Sequence, residues 1–264
     1  MPIYDFSPAF TERFGITGSF KDLKRGGQKT VYFVNQGDKR ITLKLFHTAS
    51  KDARMIRELE IYEKFKDLDG IPKISSIQDF EGEIVVFEEY IEGVTLTDAV
   101  SDFIGQDDKV IELTERLVNI LTPIWLNDFV HRDIKPDNII LQDGGIPVLL
   151  DFGIARDLGA DSLTASGFQP HSWPFAAPEQ YAGRKELVDY RTDFFSLGVL
   201  AYHLYSGTLP FGQTQEEISN CFKSNQQNFS MNEHCRLKPF LAEVLKFSPA
   251  ERPRLIEQIK SLLR

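Results

Sequence analysis

Hydrophobic and polar positions divide the chain into two textures that change near residue 93. Before it, short β-branched and aromatic runs dominate, at 30–35 (TVYFVN), 40–46 (RITLKLF) and 83–89 (EIVVFEE). Turn formers such as Gly26-Gly27, Gly37-Asp38 and Glu81-Gly82 bound them, so they predict strands. One helix is expected among them over 51–68. There Met55, Leu59, Tyr62 and Phe65 recur at three- and four-residue steps, with Ser50 placed to cap the start. After residue 93 the period turns helical. Val110, Leu113, Leu117, Ile120 and Ile124 form a stripe that Pro123 is expected to kink. The stretch 193–205 is apolar nearly all round, the mark of a helix buried at the centre of a lobe. The remainder, to Leu263, reads as short amphipathic helices. The pattern predicts an α+β chain with a small β-rich lobe carrying one helix (1–90) and a larger, mainly α lobe (91–264). Their junction, near Tyr90 to Gly93, is the kind of place where ligand clefts form.

Composition narrows the partners more than the fold. With 264 residues, 42% of them hydrophobic, the chain can fill a sizeable core. A formal net charge of −9 repels phosphate backbones and argues against nucleic acid as the main ligand. It mildly favours basic partners. The longest nearly apolar run, 194–205, is interrupted by Ser196 and His203 and is too short to span a bilayer. The opening MPIYDFSPAFTERF lacks a basic-then-apolar leader pattern, and the first strand signals begin about twenty residues in. Cys221 and Cys235 make neither a disulfide framework nor a zinc set, so free thiols in a reducing cytoplasm are expected.

Chemistry concentrates in HRDIKPDN, residues 131–138, and in Asp151-Phe152-Gly153 downstream. Between them IILQDGGIPVLL predicts a hairpin turning at Asp143-Gly144-Gly145. A turn centred between Gly144 and Gly145 would set Asn138 opposite Asp151 at the open end. An amide oxygen and a carboxylate brought together are hard ligands suited to Mg²⁺, which keeps several waters and is commonly shared with phosphates. Asp133 and Lys135 lie on the loop just before the first strand and would add a carboxylate and a cation. Any one of these residues reads more simply as part of a solvated polar loop. The ordered set on both ends of one hairpin does not.

On these motifs the chain resembles the eukaryotic-type Ser/Thr protein kinase family, over essentially its whole length. HRDIKPDN is similar to the catalytic loop and Asp151-Phe152-Gly153 to the start of the activation segment. Ala177-Pro178-Glu179 is similar to that segment's end. Asp193, in DFFSLG, matches the aspartate that braces the catalytic loop, and Arg252 matches the ion-pair partner of Glu179. The resemblance implies a bilobal kinase-like fold and transfer of the γ-phosphoryl group of ATP to protein hydroxyls, with Mg²⁺ or Mn²⁺. Asp133 would act as base, Lys135 would offset charge, and Asn138 and Asp151 would hold the metal. Lys44, in ITLK, would reach the α- and β-phosphates, held by Glu58 or, as the alternative, Glu60. Backbone groups of Glu89 and Ile91 would meet the adenine, with Val31 and Ile140 in the same nucleotide site. Lys135, two residues after Asp133, and Ser172, seven before Glu179, follow the Ser/Thr-directed pattern. Arg132 would receive a phosphate placed on the activation segment, with Thr164 or Ser166 as the autophosphorylation site.

The glycine-rich loop departs from the family pattern. Lys24, Gly26 and Lys29 fall at the three glycine positions, with Gly27 beside the one that survives. Thr42 replaces the usual alanine over the adenine. Glu88, or Phe87 under a one-residue slip, stands just before the hinge. Two other readings stay open. A small-molecule phosphotransferase resembling the aminoglycoside kinases usually has glycine where Arg132 stands and lacks the Ala177-Pro178-Glu179 segment. A pseudokinase, acting as a binding or scaffold module, would suit the degenerate loop.

Overall fold

The computed structural model describes residues 6–25, 29–46, 60–152, 156–157, 173–225, 229–232 and 234–264. The chain divides into two compact units, Met1–Glu92 and Gly93–Arg264.

The first unit is a five-stranded antiparallel sheet: β1 (Ile16–Arg25), β2 (Lys29–Gln36), β3 (Lys39–Phe46), β4 (Ile74–Phe80) and β5 (Glu83–Glu89), in the order β1-β2-β3-β5-β4. Strand alternation sends Ile41 and Leu43 of β3 to one face and Thr42, Lys44 and Phe46 to the other. On the first face they join Val34, Val85 and Phe87 in a core that also takes Phe10 and Phe14. Those two phenylalanines belong to α1 (Pro8–Phe14), a helix in the segment from which strand signals were absent. Its local logic is plain in retrospect. Ser7 caps it, its hydroxyl accepting the Phe10 N–H at 3.2 Å; Pro8 takes the first turn, and Gly15 ends it. Phe10 and Phe14, four apart, share the face that meets the sheet. Phe6 stacks on Phe10 at 4.6 Å, and Phe80 meets it edge-on at 5.0 Å.

β1 and β4 also escaped the period reading, because as edge strands they bury little and carry weak alternation. Of the helix expected over 51–68, the described part is helical at 60–64, with Ile61 and Tyr62 buried and Glu60 exposed.

In the second unit, α2 (Leu96–Ala99) precedes α3 (Asp107–Trp125), whose stripe from Val110 to Ile124 is buried as its period predicts. Pro123 falls two residues from the end of α3, where the helix has little left to lose. After α4 (Pro178–Tyr181) comes α5 (Tyr190–Ser206), buried on nearly every side. Helices α6 (Gln215–Ser224), α7 (Lys238–Val244) and α8 (Ile256–Leu262) complete the unit. Its small strands are β6 (Val94–Thr95), β7 (Phe129–Val130), β8 (Ile139–Gln142), β9 (Ile146–Leu149) and β10 (Arg156–Asp157). β8 pairs with β9 and β6, and β7 with β10. Among the described residues no helix is long and apolar enough to cross a membrane, and both thiols are free.

The β8–β9 hairpin differs from the expected register by one residue. Its turn spends three residues, Asp143–Gly145, with Gly144 and Gly145 both at positive φ (75° and 69°), so Gln142 pairs with Ile146 and Ile139 with Leu149. Asn138 therefore opposes Leu150, whose N–H donates to the Asn138 carbonyl at 2.8 Å, and not Asp151. Asp151 follows at φ 64°, where the chain leaves the ladder.

The placement of α1 carries a stability prediction. Truncating a buried phenylalanine costs about 3–5 kcal/mol. Phe10→Ala is expected to lower stability by that amount in urea unfolding of the whole chain. A loss under about 1 kcal/mol would show that α1 is not part of this core.

Candidate active site

The loop 131–138 is held from below by one carboxylate. Asp193, fully buried near the start of α5, accepts the Trp125 indole N–H and the His131 backbone N–H through Oδ2, and the Arg132 N–H through Oδ1, each at 2.8 Å. Burial pushes this carboxyl above its usual range, and the three donors offset only part of that rise. The His131 ring carries the brace to the far strand. Its Nδ1 accepts the Asp133 N–H at 3.3 Å, which leaves Nε2 to donate to the Leu150 carbonyl at 3.1 Å. Phe152 packs edge-on against the same ring at 4.6 Å.

On this base the chemical groups converge. Asp133 Oδ2 accepts from Lys135 Nζ and from Asn138 Nδ2, both at 2.9 Å. Asn138 Nδ2 also donates to the Asp133 carbonyl at 2.9 Å. All three residues are buried. Because the Asn138 nitrogen faces two acceptors, its carbonyl oxygen is turned elsewhere as an acceptor. That oxygen and the half-buried Asp151 carboxylate have the hard-donor chemistry that Mg²⁺ or Mn²⁺ takes when water and phosphate fill its other positions. The residues fit such an ion. Among the described residues, no three His, Cys, Asp or Glu side chains form an all-protein metal set.

A second buried network holds residues 176–180. Arg252 forks onto Glu179, Nη1 to Oε1 at 2.7 Å and Nη2 to Oε2 at 2.8 Å. Its other N–H groups reach the carbonyls of Lys246, Arg191 and Phe247, and its guanidinium lies 4.8 Å from the Phe195 ring centroid. Thr192 adds a donor to Glu179 at 2.8 Å. Neither Thr192 nor Trp125 was singled out by sequence reasoning, and neither sits in a motif that would mark it.

In the first unit, Lys44 Nζ bonds Glu88 Oε1 at 2.9 Å and the Tyr62 hydroxyl at 3.3 Å, with Lys44 and Glu88 both buried. Strand register explains the pairing. Glu88 lies opposite Thr42, one step along from the Lys44–Val86 pair, on the same face of the sheet. Phe87, the alternative under a slip, points to the opposite face and packs in the α1 core. Val31 stands across from Lys44 on β2. Lys24 is exposed, and Lys29 Nζ lies 5.6 Å from the Phe46 ring centroid. The Glu89 N–H is committed to the Lys73 carbonyl at 2.8 Å, and Ile91 is half-buried. In the second unit, Gly93 has φ 152° and packs so tightly on β8, where Ile140 is buried, that a Cβ would lie 2.3 Å from the Leu141 oxygen. Gly26, Gly27, Glu58, Thr164, Ser166 and Ser172 lie outside the described residues.

The family model described as protein kinase domain matches residues 21–262. The chain is 27% identical over 263 residues to the serine/threonine-protein kinase pkn3 of Myxococcus xanthus, covering 90% of this chain and 48% of that protein. It is 30% identical over 200 residues to PknJ of Mycobacterium tuberculosis (72% and 33%), and 28% identical over 206 residues to PrkC of Bacillus subtilis (74% and 32%). The chain belongs to the protein kinase domain family, with the β-rich first unit and helical second unit that this fold implies. It spans between about a third and a half of the length of these relatives.

The buried Lys44–Glu88 pair carries its own prediction. Removing one partner of a buried pair costs about 3–5 kcal/mol. Glu88→Leu is expected to lose close to that in urea unfolding, and Glu88→Leu combined with Lys44→Met to recover part of it. A double-variant loss equal to the sum of the separate Glu88→Leu and Lys44→Met losses would mean that the two charges are not energetically coupled.

Proposed function

We propose that this chain is an ATP-dependent Ser/Thr protein kinase. The observation that carries the reading is the buried Asp133–Lys135–Asn138 cluster, held on the peptide groups that Asp193 braces. Phosphoryl transfer asks a protein for an in-line hydroxyl and a compensated phosphoryl group more than for covalent help. Asp133 suits the first need. Two donors fix its Oδ2, so the carboxylate has one orientation in which to accept a proton from an incoming hydroxyl. Lys135, already beside that carboxylate, places a cation where negative charge develops. A divalent ion held by Asn138 and Asp151 would supply charge neutralisation. Lys44 is the residue proposed to grip the nucleotide's α- and β-phosphates.

Direction toward serine and threonine is supported by Lys135 two residues after Asp133, and by relatives named serine/threonine-protein kinases. Protein substrates, basic ones favoured by the −9 charge, and a cytoplasmic setting for the free thiols complete the proposal.

ATP turnover with a generic basic protein tests it. Wild type is expected to label serine or threonine, and Asp133→Asn to lower kcat by roughly 10²–10⁴-fold. Lys44→Met is expected to be silent as well. Equal silence of wild type and Asp133→Asn, with ATP still bound, would instead favour a binding module; transfer to a sugar or antibiotic alone would favour a small-molecule enzyme. Thr164 or Ser166 is the proposed autophosphorylation site. Peptide mapping after incubation with Mg-ATP should place phosphate there, and an active enzyme unmodified between Ser162 and Ser172 would sink the assignment.

A further inference from the structure

One buried amide links the loop that carries Asp133 to α4, and no motif marks it. Gln180 follows Glu179 on α4 and is 9% exposed. Its Oε1 accepts the Ala177 backbone N–H at 3.1 Å, and its Nε2 donates to the Arg132 carbonyl at 2.9 Å. That carbonyl belongs to the peptide plane between Arg132 and Asp133, whose N–H is the group that donates to His131 Nδ1. Arg132 is itself held at φ 71°, a left-handed conformation that costs a non-glycine residue on the order of 1 kcal/mol or more. Such a residue persists only when its neighbours over-determine it. Here Asp193 takes the N–H on one side of Arg132 and Gln180 takes the C=O on the other.

We propose that Gln180 is a positioning residue for Asp133: its amide fixes the Arg132–Asp133 peptide plane and makes the placement of the base depend on the docking of residues 176–180. The inference rests on the reading of Asp133 as base. The Glu179–Arg252 pair anchors α4 to the body of the unit, and Gln180 passes that anchorage to the catalytic loop through two hydrogen bonds of a single side chain. A side chain at 180 that keeps the acceptor for the Ala177 N–H but lacks the donor would leave α4 capped and release the loop.

Gln180→Glu is the discriminating change, since it keeps the shape and replaces the donor by a titratable oxygen. As a carboxylate it turns a lone pair on the Arg132 carbonyl; as a neutral acid it can donate again. Burial and that hydrogen bond favour the neutral form and raise the carboxyl's pKa, while the Ala177 N–H on Oε1 favours the carboxylate and opposes part of the rise. The ratio of variant to wild-type kcat should therefore fall as pH rises, to a loss of roughly tenfold or more once the carboxyl is ionised. KM for ATP should change little. Gln180→Leu should show the loss at every pH, and hydrogen exchange of the 131–133 amides should quicken in it.

The two arms separate this inference from the activity reading. An active wild type with Gln180→Glu and Gln180→Leu at full kcat throughout would overturn the positioning role and leave the kinase reading standing. A wild type silent on protein would overturn the kinase reading and with it the role toward a base. Exchange then decides the clamp alone: unchanged protection at 131–133 in Gln180→Leu defeats it, and faster exchange supports it.

Discussion

The Asp193 carboxylate is the point on which the second unit turns. Ionised and stripped of water inside an otherwise apolar helix, it would by itself cost several kcal/mol, which is why burial drives its pKa upward. Charge-assisted hydrogen bonds from Trp125, His131 and Arg132 offset that cost. Two of those donors are backbone N–H groups of the loop that carries Asp133. The loop thus gains its shape by satisfying a charge it cannot leave unsatisfied, and a left-handed Arg132 is tolerated as part of the arrangement. Everything chemical above it inherits this geometry: the His131 ring tied to Leu150, the Asp133 carboxylate between Lys135 and Asn138, and the turn of the chain at Asp151.

Two buried ion pairs follow the same logic in different settings. Arg252 and Glu179 meet as a fork on a fork, with the remaining guanidinium protons spent on carbonyls, so neither charge is left short of partners. Lys44 and Glu88 meet across neighbouring strands, where hydrogen-bonded register fixes their separation. Pairs of this kind contribute little net stability compared with apolar side chains of the same volume, yet losing one member is expensive. They are better understood as devices that specify one arrangement. The first fixes where residues 176–180 sit. The second fixes where the Lys44 ammonium sits, within the sheet itself.

Much of the candidate site is legible in the sequence. Most of HRDIKPDN, with Asp151, Glu179, Asp193 and Arg252, is polar, and the order and spacing of these residues are there in the linear chain. The long buried helices α3 and α5 were legible too, because a 3.6-residue period or its saturation is a local signal. Edge strands β1 and β4 were not, since a strand that buries one weak face writes no strong alternation. Helix α1 hid for another reason. At seven residues it is too short to declare a period, and its phenylalanines make sense only against a sheet whose strands lie far along the chain. The hairpin register slipped by one because a two-residue and a three-residue turn can be written with the same Asp-Gly-Gly.

Sequence alone determined which groups this protein has to work with and in what order they occur, because side-chain chemistry is written residue by residue in the chain. Tertiary structure alone decided their partners. Glu88 is 44 residues from Lys44, Gln180 is 48 from Arg132, and Arg252 is 73 from Glu179. A buried polar group must be satisfied by whatever the fold brings beside it, and that choice is set by strand register and helix packing rather than by distance along the chain. Glu88 and Gln180 carry no motif of their own. Their roles exist only where β3 lies against β5 and where α4 meets the loop that Asp193 holds.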